Sequence, residues 1–264
     1  MAVTIYQKTT VFLKMTTQTG MVYNLEENLN IKLNSAALKA VLFDMDGVLF
    51  DSMGNHAEAW IRAMKQHGLS MTREDVYMNE GRTGEGTIDI FTQRDWGRDA
   101  NEQEILAIYK TKSDIFNTLP AVQPMSGAAD VLNHIRERAV MRVLVTGSGQ
   151  LSLLERLEKA YPGHFKEELM VTAFDVKHGK PNPEPYLMGL EKAGRTLGLG
   201  TPLPASQAIV VENAPLGIQA AKAAGIFCIA VNTGPLGDHI LYDAGADIVL
   251  PSMTELAYRL RQTH

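Results

Sequence analysis

Six short apolar runs punctuate this chain, at 39–43, 142–145, 169–172, 208–211, 227–231 and 247–250, and none alternates apolar with polar residues. A strand with one wet face alternates; a run that stays apolar is buried on both faces, as in a parallel sheet covered by helices. Amphipathic segments lie between the runs, among them 128–137 and 216–224. The alternation predicts βαβ units and a doubly wound, mostly parallel, Rossmann-like α/β sheet.

The spacing of the runs has one anomaly. Nearly 100 residues separate the first from the second, where a βαβ crossover needs about 30. The intervening stretch carries only helical pattern: Ala57, Trp60, Ile61 and Met64 make one stripe within 55–67, and 102–116 makes another. A helical domain inserted after the first strand is expected, giving an α/β core of 38–55 and 125–264 and a helical cap of 56–124. Trp60 and Trp96 are read as cap packing. Residues 1–37 are polar and weakly patterned, and are read as a loosely ordered extension without the basic, then apolar, start of a signal peptide.

Charge and cysteine content narrow the function. A net charge of −5 with no Lys/Arg block argues against a nucleic-acid partner. No apolar run is long enough to cross a bilayer. The single cysteine, Cys228, sits in an apolar run, excludes an intrachain disulfide and fits a reducing compartment. A cytoplasmic monomer acting on a small molecule is expected.

In open α/β sheets ligands bind beyond the carboxyl ends of the strands, so the residues that follow each run are the candidates. Asp44 and Asp46 follow the first; Thr146, Gly147 and Ser148 follow the second; Lys180 lies in the loop after the third; Glu212 and Asn213 follow the fourth. Two carboxylates so close tolerate each other when a cation lies between them or one is protonated. Oxygen ligands on several loops suit Mg²⁺, which keeps sites for water and phosphate; Asp44, Asp46, Glu212 and Asn213 are the expected ligand set. Asp44 can then attack phosphorus, and Asp46 can serve as general acid and base. Thr146 and nearby amides can hold phosphoryl oxygens, with Lys180 balancing the anions.

The segments "DMDGVLFDS", "VTGSG", "GKPNPEPY" and "VVENAPLGIQAAKAAG" resemble, in order, the four motifs of the haloacid dehalogenase (HAD) superfamily. The resemblance covers 38–264 and is nearest to the β-phosphoglucomutase-like branch, whose helical cap is inserted just after the first motif. It implies an aspartyl-phosphate on Asp44. Dehalogenases of the superfamily lack the second Asp, so Asp46 argues for phosphate chemistry. It implies further that His56 orients Asp46, that Lys112 reaches the site from the cap, and that Lys180–Pro181 is a cis peptide.

Two departures bear on substrate. The cap loop "NEGRTGEGT" carries Glu80 where the mutase has lysine, and Asn213 stands where the mutase has aspartate. An anion in place of a cation suits a small, highly charged substrate carrying its own Mg²⁺, and "EGRTG" with "VVENAPLG" resembles the bacterial inorganic pyrophosphatases of this branch. Pyrophosphate hydrolysis is therefore expected, with a phosphosugar mutase or sugar-phosphate phosphatase as the alternative. A receiver-like phosphoacceptor domain is a remote alternative, since receivers split the corresponding acids between strands and have no cap. A non-catalytic binding protein conflicts with the intact Asp44, Asp46, Thr146 and Lys180.

Overall fold

The computed structural model describes residues 32–33, 35–148 and 151–262. In chain order the elements are β1 (Ala40–Phe43), β2 (Phe50–Asp51), α1 (Met53–Gln66), α2 (Arg73–Met78), α3 (Gly84–Trp96), α4 (Glu102–Thr118), β3 (Gln123–Pro124), α5 (Ala128–Glu137), β4 (Met141–Val145), α6 (Leu151–Ala160), β5 (Met170–Val171), α7 (Glu184–Thr196), β6 (Ala208–Glu212), α8 (Pro215–Ala223), β7 (Phe227–Val231), α9 (Asp238–Asp243), β8 (Ile248–Leu250) and α10 (Met253–Arg261).

Six strands form one sheet in the order β5-β4-β1-β6-β7-β8, and every pairing in it is parallel. The lack of alternation in β1 now has its cause. Val41 and Phe43 point into a cluster built with α5 and α10, through Val131, Ile135, Leu256 and Leu260. Ala40 and Leu42 point the other way, onto Tyr186 and Leu190 of α7 and Ile218 of α8. With both faces covered, no polar residue has a place in the strand; each fully buried Val, Leu or Phe contributes roughly 1.5–3 kcal/mol. The chain runs outward from β1 through β4 to β5, then returns to β6 on the other side. That reversal puts the carboxyl end of β1 at the switch point, where a crevice opens.

Between β2 and β3 the chain forms α1–α4. Met53, Ala57, Trp60, Met64, Ile88, Phe91 and Ile108 share a buried cluster there, so Trp60 is packing. Trp96 packs against the same cluster and carries the Arg98 guanidinium 5.1 Å above its ring. The helix starts are chemically specified: Thr72 and Asp75 form a capping box on α2, and Asn101 and Glu104 form one on α4. The two crossings into the insert pair with each other, Phe50 with Pro124 and Asp51 with Gln123.

Several local readings shift. The run 169–172 shortens to Met170–Val171, because Leu169 closes a 3-10 turn and Thr172 turns onto the Asp175 carboxylate through its amide and hydroxyl, both at 2.8 Å. Helix α1 begins at Met53, ahead of the stripe that signalled it. Leu33 and Leu38 are buried in the main cluster, so the chain is packed from within the stretch read as an extension; residues 1–31 and 34 lie outside the described residues. Cys228 is a free, fully buried thiol. Among the described residues, no helix is long and apolar enough to cross a membrane.

Candidate active site

Asp44 leaves β1 directly and its amide donates to the Val211 carbonyl at 3.0 Å, which ties it to the end of β6. Its Oδ1 accepts from Lys180 Nζ at 2.5 Å. Lys180 is 1% exposed, and its Nζ also donates to Glu212 Oε1 at 2.6 Å and to the Val145 carbonyl at 3.2 Å. The Lys180–Pro181 peptide is cis, as the resemblance implied. Burial pushes the Asp44 carboxyl up to about 8; Lys180 opposes this, while Glu212 and Asp46 add to it. Burial works against the Lys180 ammonium, but Asp44 and Glu212 outweigh it and hold it above the usual lysine range. Four buried acids, Asp44, Asp46, Glu80 and Glu212, face two buried amines, Lys112 and Lys180, and a bound cation would favour the ionised form of the acids that burial raises.

Glu212 sits differently from the metal-ligand role expected of it. Its Oε1 accepts from Lys180 and from Tyr186 OH at 2.9 Å, and its Oε2 accepts from the amides of Asn213 at 2.8 Å and Ala214 at 3.1 Å. A side chain on Gly217 would overlap the carboxylate. Both oxygens are thus occupied within the protein, and Glu212 braces Lys180 and the entry to α8. Tyr186 went unnoticed in the sequence, although it ends the "GKPNPEPY" motif.

Asp46 has its own buried chain of partners. Its Oδ1 accepts from Ser52 Oγ at 2.6 Å and meets His56 Nε2 at 3.1 Å. His56 Nδ1 meets Lys112 Nζ at 3.0 Å, and the Lys112 ammonium lies among the rings of Trp60, Tyr109 and Phe116. Burial alone would raise the Asp46 pKa, but His56 and Ser52 more than offset it and hold the group below its ordinary value. Burial and the Lys112 charge lower His56, and burial lowers Lys112 to about 7. The structure thus brings His56 to Asp46 and Lys112 to His56. Ser52 was missed, though it closes the quoted first motif six residues on.

The loop between α2 and α3 lies against the sheet edge. Glu80 Oε1 accepts from Asn213 Nδ2 at 2.8 Å, and burial raises the Glu80 carboxyl well above its ordinary value. A Cβ on Gly147 would come 2.5 Å from the Gly81 carbonyl, and one on Gly179 would come 2.9 Å from Thr83 Cγ2. Bare glycine backbone is what lets the two sides meet so closely. Thr146 is buried, its Oγ1 accepting from the Ser148 amide at 3.0 Å. Asp44, Asp46, Glu80, Arg82, Thr146 and Ser148 are among the residues lining a cavity of about 70 Å³.

Asn213 Oδ1 is buried with no hydrogen-bond partner among the described residues, beside the Asp44 and Asp46 loop; a side chain on Gly47, at φ +79°, would overlap the Asn213 amide. Among the described residues no trio of His, Cys, Asp or Glu is grouped to hold a metal. An octahedral Mg²⁺ does not need one, because it keeps several waters and takes one or two carboxylates. The orphaned amide oxygen and the excess of acids over amines fit Mg²⁺ held by Asp44, Asp46 and Asn213.

The family model of the haloacid dehalogenase-like hydrolases matches residues 38–225. The chain belongs to that family. Among curated proteins this hydrolase is similar to validoxylamine A 7'-phosphate phosphatase of Streptomyces hygroscopicus subsp. limoneus, 31% identical over 221 residues that span 83% of this chain and 96% of the relative. It is also similar to hexitol phosphatase A of Escherichia coli K12, 30% identical over 219 residues, 83% of this chain and 93% of the relative. A solved structure from Bacteroides vulgatus, provisionally named a beta-phosphoglucomutase, superposes with a TM-score of 0.81 at 50% identity, covering 90% of this chain and 97% of that one. The predicted α/β fold and the HAD assignment hold. None of the three names refers to pyrophosphate, so the narrower resemblance to inorganic pyrophosphatases finds no support among them.

Proposed function

We propose that this chain is a Mg²⁺-dependent phosphohydrolase that passes a phosphoryl group through Asp44. The observation that carries this reading is the convergence of Asp44, braced by Lys180, and Asp46, held by Ser52 and His56, on one buried cavity. The Asp44 carboxylate attacks phosphorus, and the bond to the leaving oxygen breaks as Asp46 delivers a proton to that oxygen. In the second half Asp46 takes a proton from water, whose oxygen attacks the aspartyl-phosphate and returns Asp44 and inorganic phosphate. The low pKa of Asp46 suits the second half; in the first, the added charge of a bound phosphate raises it. Mg²⁺, when bound by Asp44, Asp46 and Asn213, supplies positive charge against the phosphoryl oxygens. Thr146 and Ser148, at the mouth of β4, would contact those oxygens.

The relatives' names favour an organic phosphate, a phosphorylated sugar or sugar alcohol, over pyrophosphate. A phosphosugar mutase uses the same first half-reaction and differs only in which hydroxyl receives the group. One specific observation keeps pyrophosphate as a second reading. Glu80 sets a buried acid against Asn213, its carboxyl raised by burial; a cation carried in by pyrophosphate would favour its ionised form and lie between the two, and the cavity is small. A single water needs roughly 10–15 Å³ of such space.

A substrate panel decides. Pyrophosphate, hexitol phosphates, β-glucose 1-phosphate and p-nitrophenyl phosphate are assayed with Mg²⁺ for the wild type and Glu80→Lys. The first reading expects the highest kcat/KM on a sugar or sugar-alcohol phosphate. A pyrophosphate value above every ester, lost in Glu80→Lys, installs the second. Isomerised sugar phosphate without released phosphate indicates the mutase, and inertness toward all four removes the phosphohydrolase.

A further inference from the structure

Two cationic side chains line the cavity, Lys112 and Arg82. Lys112 is engaged with His56 and enclosed by three rings. Lys180 lies beneath, occupied by Asp44, Glu212 and a carbonyl. Arg82 is different. Its Nε donates to Asn79 Oδ1 at 3.1 Å, and its two terminal nitrogens have no partner among the described residues. The neighbouring acid, Glu80, is turned to Asn213.

Arg82 is also held in place. Asn79 Nδ2 donates to the Asp75 carbonyl at 2.9 Å, and the Arg82 amide donates back to the Asn79 carbonyl at 3.3 Å, so the loop hangs from the last turn of α2. On its other side Thr83 caps α3, its Oγ1 accepting from the Gly86 amide. The Arg82 carbonyl lies 3.4 Å from where a Cβ on Gly147 would be. Arg82 is thus anchored on the cap side of the cavity, facing the strand ends that carry Asp44 and Thr146. A guanidinium fixed through Nε presents a planar pair of N–H groups, the arrangement that grips a phosphate or carboxylate in two-pronged fashion.

We propose that Arg82 binds a second anionic group of the substrate, the one on the portion that departs when Asp44 takes the phosphoryl group. The ligand class is a phosphoanhydride, or a phosphate ester bearing another phosphate or a carboxylate. The inference rests on the phosphohydrolase reading above, and it separates substrates that have a second anion from those that do not.

The test compares wild type, Arg82→Ala and Arg82→Lys in two measurements. The first is hydrolysis of p-nitrophenyl phosphate, which has one phosphoryl group, and its competition by pyrophosphate and by inorganic phosphate. The second is calorimetric titration of the Mg²⁺-loaded protein with pyrophosphate. Arg82→Ala is expected to weaken pyrophosphate by about 10- to 100-fold, the worth of a lost charge-assisted contact, with Arg82→Lys in between. Its kcat/KM on p-nitrophenyl phosphate and its inhibition by inorganic phosphate should fall far less than its pyrophosphate affinity, so that the ratio of the losses is the readout. Equal losses with all three ligands would make Arg82 a structural element and overturn the proposal, as would unchanged pyrophosphate affinity. Wild-type protein that hydrolyses neither p-nitrophenyl phosphate nor pyrophosphate would defeat the phosphohydrolase reading, while the titration would still decide Arg82.

Discussion

Lys180→Met keeps the length of the side chain and deletes its charge. Lys180 is buried and its Nζ lies 2.5 Å from Asp44 Oδ1 and 2.6 Å from Glu212 Oε1. Removing one partner of a buried ion pair costs about 3–5 kcal/mol, because the other charge is left without compensation. For the metal-free wild type, the Asp44 carboxyl is raised by burial to about 8. A carboxyl raised in the fold contributes stability that is full below its unfolded value of 3.8 and is lost as pH rises through about 8. Near pH 7 the ion pair at stake is therefore the one with Glu212, and a loss of about 3–5 kcal/mol is expected there. Above pH 8 the deficit should widen, since the wild-type Asp44 ionises against Lys180 and the variant's has no ammonium to face. Urea unfolding in chelator at pH 6.5 and 9, with Lys180→Met/Glu212→Gln as partner variant, measures both effects. A loss below about 1 kcal/mol at neutral pH, or a double variant no more stable than the single, would refute the account of Lys180 as the neutralising cation.

Gly47→Ala should lower stability by about 1–3 kcal/mol and abolish most turnover, because φ +79° strains any other residue and the new Cβ overlaps Asn213; chemical denaturation with a phosphatase assay checks it. Lys112→Met should remove a pH slope. At 1.36 kcal/mol per pKa unit, the fall of Lys112 from 10.5 to about 7 corresponds to roughly 5 kcal/mol. That stability is present above pH 10.5 and lost as pH falls through 7, so wild type should gain relative to the variant between those values, as read by thermal unfolding against pH. Ser52→Ala should raise the pKa that governs the basic half-reaction, by removing the 2.6 Å donor to Asp46; the pH profile of kcat is the readout.

Which parts of the site could be read in the sequence follows from geometry. Asp44, Thr146 and Asn213 each lie just past a buried run, and parallel strands all end on one edge, so position along the chain translates directly into position in space. The partners of those residues do not translate in that way. Glu212 looked like a free ligand because nothing in "VVENAPLG" reveals that Tyr186, 26 residues earlier, donates to it, or that the start of α8 takes its other oxygen. The cap loop "NEGRTGEGT" bears on substrate in the sequence, but its contact with Gly147 and Gly179 arises from segments far apart in the chain meeting through glycine backbone. Helices α2 and α3 escaped the stripe argument: α2 has only six residues, and the apolar positions of α3 mix with Gly and Thr. The edge strand β5 was overread because an apolar run does not show where a side-chain turn, here Thr172 with Asp175, will end the pairing.

The central claim is that the Asp44 carboxylate itself becomes bonded to phosphorus. Rapid acid quench during turnover, followed by mass spectrometry of the peptide that carries residue 44, tests it directly. The account predicts one acid-stable, hydroxylamine-labile phosphoryl group on Asp44, absent from Asp44→Asn protein. Full turnover with no modified peptide, or near-normal activity in Asp44→Asn, would contradict it.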